Sequence, residues 1–188
     1  MTIFLLFFPL LSSLVIIALR PVGVKYWALA VSLVELVVSL VIAGQFVRSD
    51  EVQFALNVPW VESMGLYFAV GIDGISLLLV LLTTVLVPLI ILSSFSNEYR
   101  NPSTFYGLIL IMQMALIGVF IAQDGLLFYL FWEIALIPIY FICLIWGGED
   151  RGRITLKFFI YTLAGSLFML VGLVYLYYHT PGAHSFQI

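Results

Sequence analysis

The chain has 188 residues, of which 64% are hydrophobic and only 9% carry a charge. A soluble domain needs many more charges on its water-facing surface, so this composition predicts a membrane protein. The net charge of −3 and the lack of a basic cluster exclude nucleic acid as a partner. Cys143 is the only cysteine, which excludes an intrachain disulfide and an iron–sulfur cluster in this chain.

Sequence signals for other cofactors are also missing. No glycine-rich nucleotide-binding motif occurs, and the two histidines, His179 and His184, have no partners at metal-ligand spacing. We therefore expect no cofactor and no metal ion in this chain. Any redox chemistry associated with the protein must take place in other chains.

Stretches of high hydropathy predict an all-α, polytopic membrane fold, with residues 1–188 forming a single transmembrane domain of about six helices. The predicted spans are Thr2–Leu19, Val24–Phe46, Ile75–Phe95, Thr104–Ala122, Leu126–Trp146 and Ile154–Tyr178. The first span lacks a positive residue before its apolar core and a small-residue cleavage site after it, so we interpret it as a retained helix. Short alternating segments in Val47–Gly74 predict a small hairpin or an interfacial loop. The turn Gln123–Gly125 is so short that spans four and five must be antiparallel neighbours.

Lys and Arg are unequally divided between the predicted connections. The odd-numbered connections contain five of them, whereas the even-numbered connections contain only Arg48. Because positively charged loops remain in the cytoplasm, we predict that the odd-numbered connections are cytoplasmic and that the N-terminus lies outside. The five residues are Arg20, Lys25, Arg100, Arg151 and Arg153.

Glu133 lies in Leu126–Trp146, an otherwise uncharged apolar segment, about 11 Å from its start and near the middle of the hydrocarbon core. A carboxyl group at that depth costs about 2.5–3.5 kcal/mol on insertion scales. Five residues later, Pro138 has no N–H to bond the carbonyl of Ile134, which leaves a free acceptor beside the carboxyl group. We interpret Glu133 as a proton-handling residue. The alternative is a neutral glutamic acid that fixes helix packing.

Two further ionisable side chains fall inside predicted spans. Glu35 lies at the centre of span two, with Ser32 and Ser39 on the same helical face. It is either a second proton station or a protonated acid hydrogen-bonded to a neighbouring helix, and we favour the hydrogen-bonded acid because no cationic partner is visible. Lys157 lies about one turn inside the cytoplasmic end of span six, as a candidate proton relay or as an anchor that reaches the headgroups. We expect it about 15 Å from Glu133 in depth, too far for a direct ion pair.

Asp73 directly precedes the third predicted span, within the segment Gly71–Ser76. Aspartate is a favoured N-cap residue because its carboxylate accepts hydrogen bonds from the first free N–H groups of a helix and complements the positive helix end. We interpret Asp73 as the cap of this helix.

Three segments of the chain carry a resemblance to a known family. They are Gly71–Leu82 (GIDGISLLLVLL), Phe128–Gly148 (FYLFWEIALIPIYFICLIWGG) and Thr155–Ser166 (TLKFFIYTLAGS). The FWE-x-x-L-I-P stretch is the most specific part. In these segments, and over essentially its whole length, the sequence resembles the antiporter-like subunits of respiratory complex I, most closely the subunit M (mitochondrial subunit 4) family.

The resemblance implies a proton-translocating membrane-arm subunit of NADH:quinone oxidoreductase in the inner (plasma) membrane. Its partners would be other membrane-arm subunits and the lipid bilayer. NADH, FMN, iron–sulfur clusters and quinone would be bound by partner subunits, so the chain would act as part of an enzyme without a redox centre of its own.

Residue by residue, the family's glutamate on the fifth helix matches Glu133, and the lysine of its sixth helix matches Lys157. In the family, that glutamate pairs with a further lysine on a seventh helix. The family has about fourteen helices in two inverted repeats, whereas this sequence holds six. The chain is therefore either a fragment or a short protein.

Two other functions stay open. The first is that of a cation/proton antiporter or a membrane-hydrogenase subunit of the same superfamily, although the residues that follow Glu133 argue against this function. The second is a truncated structural module that only packs against other subunits.

The predicted orientation can be tested by labelling single cysteines with an impermeant thiol reagent. In intact cells, a cysteine at Glu149 should stay unlabelled from outside, whereas one at Glu51 should react, because their connections are predicted on opposite sides. A variant lacking Cys143 serves as the background. Labelling of Glu149→Cys from outside would reverse the assignment.

Overall fold

The computed structural model describes residues 1–47, 49, 51–61 and 65–179. In this part of the chain, six long helices are accompanied by one two-stranded antiparallel sheet. The helices are α1 (Thr2–Leu19), α2 (Val24–Gln45), α3 (Gly74–Ser93), α4 (Pro102–Ile121), α5 (Gly125–Trp146) and α6 (Arg151–His179), and the strands are β1 (Gln53–Val61) and β2 (Leu66–Ile72). All six helices are long and apolar enough to cross a membrane, which confirms the predicted helical membrane fold.

The helix ends differ from the predicted spans by at most three residues. The largest difference is at the start of α6, which begins at Arg151, where the N–H of Ile154 donates to the carbonyl of Asp150 at 3.1 Å. Hydropathy marks only the apolar part of a helix, whereas its hydrogen bonds continue into the polar flank. A short 3₁₀ turn, Ser94–Ser96, extends the C-terminal end of α3.

Helix α4 is the centre of the bundle, because α1, α2, α3 and α5 all pack against it and most of its residues are buried. Small residues allow this close packing. At Gly118, an added Cβ would lie 2.5 Å from the ring of Phe131 in α5, so a larger residue there would push the two helices apart. Helix α6, in contrast, packs on α5 and is exposed over most of its length.

The predicted hairpin is confirmed by the antiparallel pairing of β1 with β2. Its edge is joined to the bundle, because Val70 forms a bridge with Ala122 and the N–H of Gln123 donates to the carbonyl of Ala69 at 2.8 Å. At the start of α1, the Thr2 hydroxyl donates to the carbonyl of Phe54 at 2.6 Å. The hairpin therefore lies at the end of the bundle where α1 begins and where α4 turns into α5.

Asp73 caps α3 as predicted. Its carboxylate accepts from the N–H of Ser76 at 2.7 Å, and the Ser76 hydroxyl accepts from the N–H of Asp73 at 2.8 Å, which completes a reciprocal capping box. The hydrogen bond from the Ser76 backbone is the main reason that the pKa of Asp73 is held below its usual value. Asp124 caps α5 similarly, with bonds from Leu126 at 2.9 Å and Leu127 at 3.1 Å.

Removing the Asp73 cap should destabilise the protein by about 1 kcal/mol, the typical cost of losing an N-cap side chain. The test is the thermal unfolding midpoint of Asp73→Ala in detergent, with Asp73→Asn as a variant that keeps a capping oxygen without the charge. Equal midpoints for Asp73→Ala and the natural protein would contradict the cap.

The charge contribution of Asp73 should depend on pH. Since its folded-state pKa is lowered, the carboxylate stabilises the fold above its unfolded-state pKa, and this stabilisation is lost as pH falls through the folded-state pKa. The difference in midpoint between the natural protein and Asp73→Asn should therefore be largest near pH 7 and shrink in acid. A difference that stays constant down to acid pH would rule out the charge effect.

Candidate functional site

Glu133 lies eight residues after the first residue of α5 and thirteen before the last, or about 12 Å and 20 Å along the helix. The buried face of α5 contains Leu127 and Phe131, which pack in the same apolar core as α4. Glu133 shares a different helical face with Tyr129 and Tyr140, which follows from their spacing of four and seven residues. This second face lies toward α6.

Contacts between α5 and α6 surround the carboxyl group. The ring of Tyr140 lies 5.0 Å from that of Phe159 in α6. One turn before Glu133, the phenol of Tyr129 lies near both the Glu133 carboxyl group and the Ser166 hydroxyl group of α6. The Oε1 atom of Glu133 is buried and has no hydrogen-bond partner among the described residues. The carboxyl group thus has Tyr129 as a polar neighbour and one oxygen with unused hydrogen-bonding capacity.

The sequence analysis did not identify Tyr129 or Ser166 as neighbours of the carboxyl group. The position of Tyr129 four residues before Glu133 on one helix was a usable signal for a tyrosine–carboxyl pair. Ser166 belongs to another helix, and its approach depends on how α6 is rotated about its own axis. Tyr129 therefore joins the candidate site as a residue that positions the carboxyl group.

Pro138 is buried inside α5, which continues through it from Gly125 to Trp146. Because proline has no N–H, the carbonyl of Ile134 lacks the usual helical donor. This carbonyl belongs to the residue that follows Glu133, so the backbone of α5 has an acceptor without its usual donor in the turn after the carboxyl group.

Lys157 is not brought to Glu133. The face of α6 that packs on α5 includes Phe159 and the buried residues Thr155 and Ser166. Lys157 is two residues from both Thr155 and Phe159, and a step of two residues along a helix leads to the opposite face. Its side chain is exposed. Along the bundle axis, Lys157 is about 9 Å from the start of α6. The structure thus agrees with the expectation that the two side chains are too far apart for an ion pair.

Glu35 is completely buried in the middle of α2. Neither carboxyl oxygen has a hydrogen-bond partner among the described residues, so the predicted bond to a neighbouring helix is wrong. One turn later, Ser39 makes the contact instead and shares a 2.8 Å hydrogen bond with Thr84 of α3. The shorter serine side chain reaches α3 from the next turn of the helix and leaves the glutamate without a partner.

Metal binding has no support in the part of the chain that the structure describes. No group of three or more His, Cys, Asp or Glu side chains is arranged to hold a metal ion there. The polar groups near Glu133 are hydroxyl groups and a backbone carbonyl. This arrangement fits the binding and release of protons, and the fold and site together define a helical membrane protein with carboxyl groups inside its bundle.

Comparisons with known proteins agree with this class. Residues 122–188 match the transmembrane family of NADH:quinone oxidoreductases and Mrp antiporters. The F(420)H(2) dehydrogenase subunit M of Methanosarcina mazei is 47% identical over 139 residues, which cover 72% of this chain and 28% of the relative. The NADH-quinone oxidoreductase subunit M of Rickettsia conorii is 36% identical over 192 residues, which cover 97% of this chain and 38% of the relative.

A solved structure, respiratory complex I from Thermus thermophilus with bound NADH, contains a chain of the same fold. Its TM-score is 0.82 at 29% sequence identity, with 93% of this chain and 35% of that chain covered. Over nearly its whole length the chain is similar to the subunit M relatives of this superfamily, and its six long apolar helices make it a multi-pass membrane protein. It spans about a third of the length of these relatives.

Proposed function

We propose that the protein is a proton-translocating membrane-arm subunit of an NADH:quinone oxidoreductase and that Glu133 carries the protons through the part described here. The observation that supports this most is the carboxyl group itself. It lies near mid-membrane, has a buried oxygen without a partner and interacts with a tyrosine hydroxyl group. An acid that only fixed helix packing would be expected to use both oxygens in hydrogen bonds.

In this proposal, Glu133 alternates between a neutral and an ionised form. When the carboxyl group releases its proton, the Tyr129 hydroxyl group donates a hydrogen bond to the carboxylate and lowers the cost of the charge. When it takes up a proton, the carboxyl group becomes neutral and can keep Tyr129 as its hydrogen-bond partner. Both forms thus have a partner within one turn of α5, which lowers the cost of proton exchange inside a bilayer.

The redox chemistry and its cofactors belong, in this proposal, to partner subunits. NADH, FMN, iron–sulfur clusters and quinone would be bound there, and this chain would contribute to the enzyme as its translocating part. Other membrane-arm subunits would cover apolar surface, of which α6 offers the largest amount. The relative from Methanosarcina mazei is named for a different reductant, F(420)H(2), so the electron donor is set outside this chain.

Cation/proton antiport is the second candidate function, because the matching family model also includes Mrp antiporters. A sodium requirement for transport would favour it. The polar groups near Glu133 are few, whereas a sodium site needs several oxygen ligands around one point, and this favours protons. A purely structural role is the third candidate, and the substitution below separates it from transport.

Glu133→Gln keeps the shape of the side chain and some of its hydrogen bonding but cannot ionise. In the full-length protein within the assembled complex, we expect normal assembly and at least a tenfold loss of coupled turnover, about 1.4 kcal/mol at the transition state. Quinone reduction and proton pumping are measured together in sealed vesicles. Near-normal pumping by Glu133→Gln would contradict the proposal.

Tyr129→Phe is the companion variant. It removes the hydroxyl group and keeps the ring, so it should weaken pumping less than Glu133→Gln and change its pH dependence. Tyr140→Phe, on the same face of α5 but in contact with Phe159, is the matched control and should pump normally. Equal effects of the two tyrosine substitutions would argue against a role of Tyr129 at the carboxyl group.

Lys157→Arg separates a proton relay from an anchor. Arginine stays protonated in proteins, so it reaches the headgroups as lysine does but cannot pass on a proton. Because Lys157 faces away from α5 in this structure, we expect pumping by the arginine variant to stay within a factor of two of normal. A strong loss of pumping, with normal assembly, would place Lys157 in the proton route.

A further inference from the structure

A second group of buried polar side chains lies away from Glu133, between α2, α3 and α4. Glu35 and Gln113 are both fully buried, and no polar atom of either side chain has a hydrogen-bond partner in the described part of the chain. Ser39 and Thr84, joined by their 2.8 Å hydrogen bond, are also fully buried. We call these four residues the polar layer.

Two residues of the polar layer, Glu35 and Gln113, lie at one depth. Glu35 and Gln113 each follow the first residue of their helix by eleven positions, or about 17 Å. The starts of α2 and α4 lie side by side, because Val24 and Pro102 line the same small cavity. Since α2 and α4 also pack together, the two side chains are at matching heights on neighbouring helices.

Two apolar cores enclose the polar layer from above and below. In one core, Ala28 and Val31 of α2 pack with Ile109 and Leu110 of α4. In the other core, Ile42 of α2 packs with Met114 and Ile117 of α4 and with Val80 of α3. The polar layer occupies the turn between these cores on each of the three helices.

Among the residues that the structure describes, no cation is near enough to balance an ionised Glu35. Helices α1, α3 and α4 are the ones packed against α2, and α1 and α3 contain no ionisable side chain. In α4 the one ionisable group is Tyr106, about two turns from Gln113 and hydrogen-bonded to Ser94 at 3.0 Å. On α2 itself, Lys25 is ten residues before Glu35, or about 15 Å away. The neutral acid, with its proton, is therefore the resting form.

The hydrogen-bonding groups of Glu35 and Gln113 are complementary. A protonated carboxyl group has one O–H donor and free acceptor sites, and a carboxamide has two N–H donors and one carbonyl acceptor. Leaving either buried side chain unsatisfied is costly, and both lie between the same helices at the same depth. A water molecule between them would satisfy both, as buried waters commonly do for polar groups of this kind.

We propose that Glu35 and Gln113 form an internal site that binds water and one exchangeable proton, separate from Glu133. On release, the proton passes from the Glu35 carboxyl group to the bound water, which becomes a hydronium ion. The Gln113 N–H group then donates to the carboxylate that is left. The binding of this proton does not depend on the function of Glu133, but its part in translocation rests on the function proposed above.

The test is infrared difference spectroscopy of the full-length protein in the assembled complex, in H₂O and in D₂O. We expect a carbonyl band of a protonated carboxylic acid that disappears in Glu35→Gln, shifts in D₂O, and changes frequency in Gln113→Leu. Tyr106→Phe, which removes a polar group of α4 two turns away, is the control and should leave the band unchanged. Glu133→Gln should also leave it unchanged, which keeps the two carboxyl groups distinguishable.

Three outcomes would overturn the site: no band that depends on Glu35, a Glu35 band that does not shift in D₂O, or a band that is unaffected by Gln113→Leu. If Glu35→Gln fails to assemble, the frequency change in Gln113→Leu decides, because that variant keeps the acid. If the site takes part in translocation, we expect Glu35→Gln and Gln113→Leu each to lower pumping several-fold. In the double variant, the loss of pumping should be smaller than the two single losses combined. Unchanged pumping in both single variants would remove the site from the proton route and leave the assignment of Glu133 untouched.

Discussion

The structure depends on the need to satisfy polar groups in a medium without water. In the hydrocarbon core, every backbone N–H and C=O group must find a partner within the protein, which favours long continuous helices. The same need explains the details at the helix ends, where Asp73 and Asp124 accept hydrogen bonds from otherwise free N–H groups. It also explains why the hairpin edge is joined to the bundle through Val70 and Gln123. Against this background, the unpartnered polar groups inside the described helices, at Glu35 with Gln113 and at Glu133, need a different explanation.

Two such places are present, and they differ in kind. Glu133 lies on the face of α5 toward α6, next to the Tyr129 hydroxyl group, on the less covered side of the molecule. Glu35 lies between apolar cores in the densest part of the bundle. A carboxyl group beside hydroxyl groups can be ionised at moderate cost, whereas one enclosed by apolar cores is stable only when neutral or hydrated. The two carboxyl groups thus differ in how accessible a proton bound to them would be.

Much of the fold could be predicted from the sequence, because the signals are local. Hydropathy located all six helices, alternation indicated the hairpin, and the Asp73 cap followed from its place before an apolar segment. The depth of Glu133 followed from a count of residues. The neighbours of each acid could not be predicted in this way, since they depend on helix rotation and packing. The Glu35 bond was assigned to the wrong residue for this reason, and Gln113 was overlooked because a single buried amide leaves no pattern in a linear sequence.

The bridge between Val70 and Ala122 has a consequence for biosynthesis. These residues are 52 positions apart, so strand β2 leaves the ribosome well before the turn that covers its edge. During that interval the hairpin presents unpaired N–H and C=O groups, the kind of edge to which other chains readily add. Its closure must wait for two further helices to enter the membrane. The end of the molecule that contains the hairpin is therefore completed late, and it is the region where a chaperone or an early partner would have most to protect.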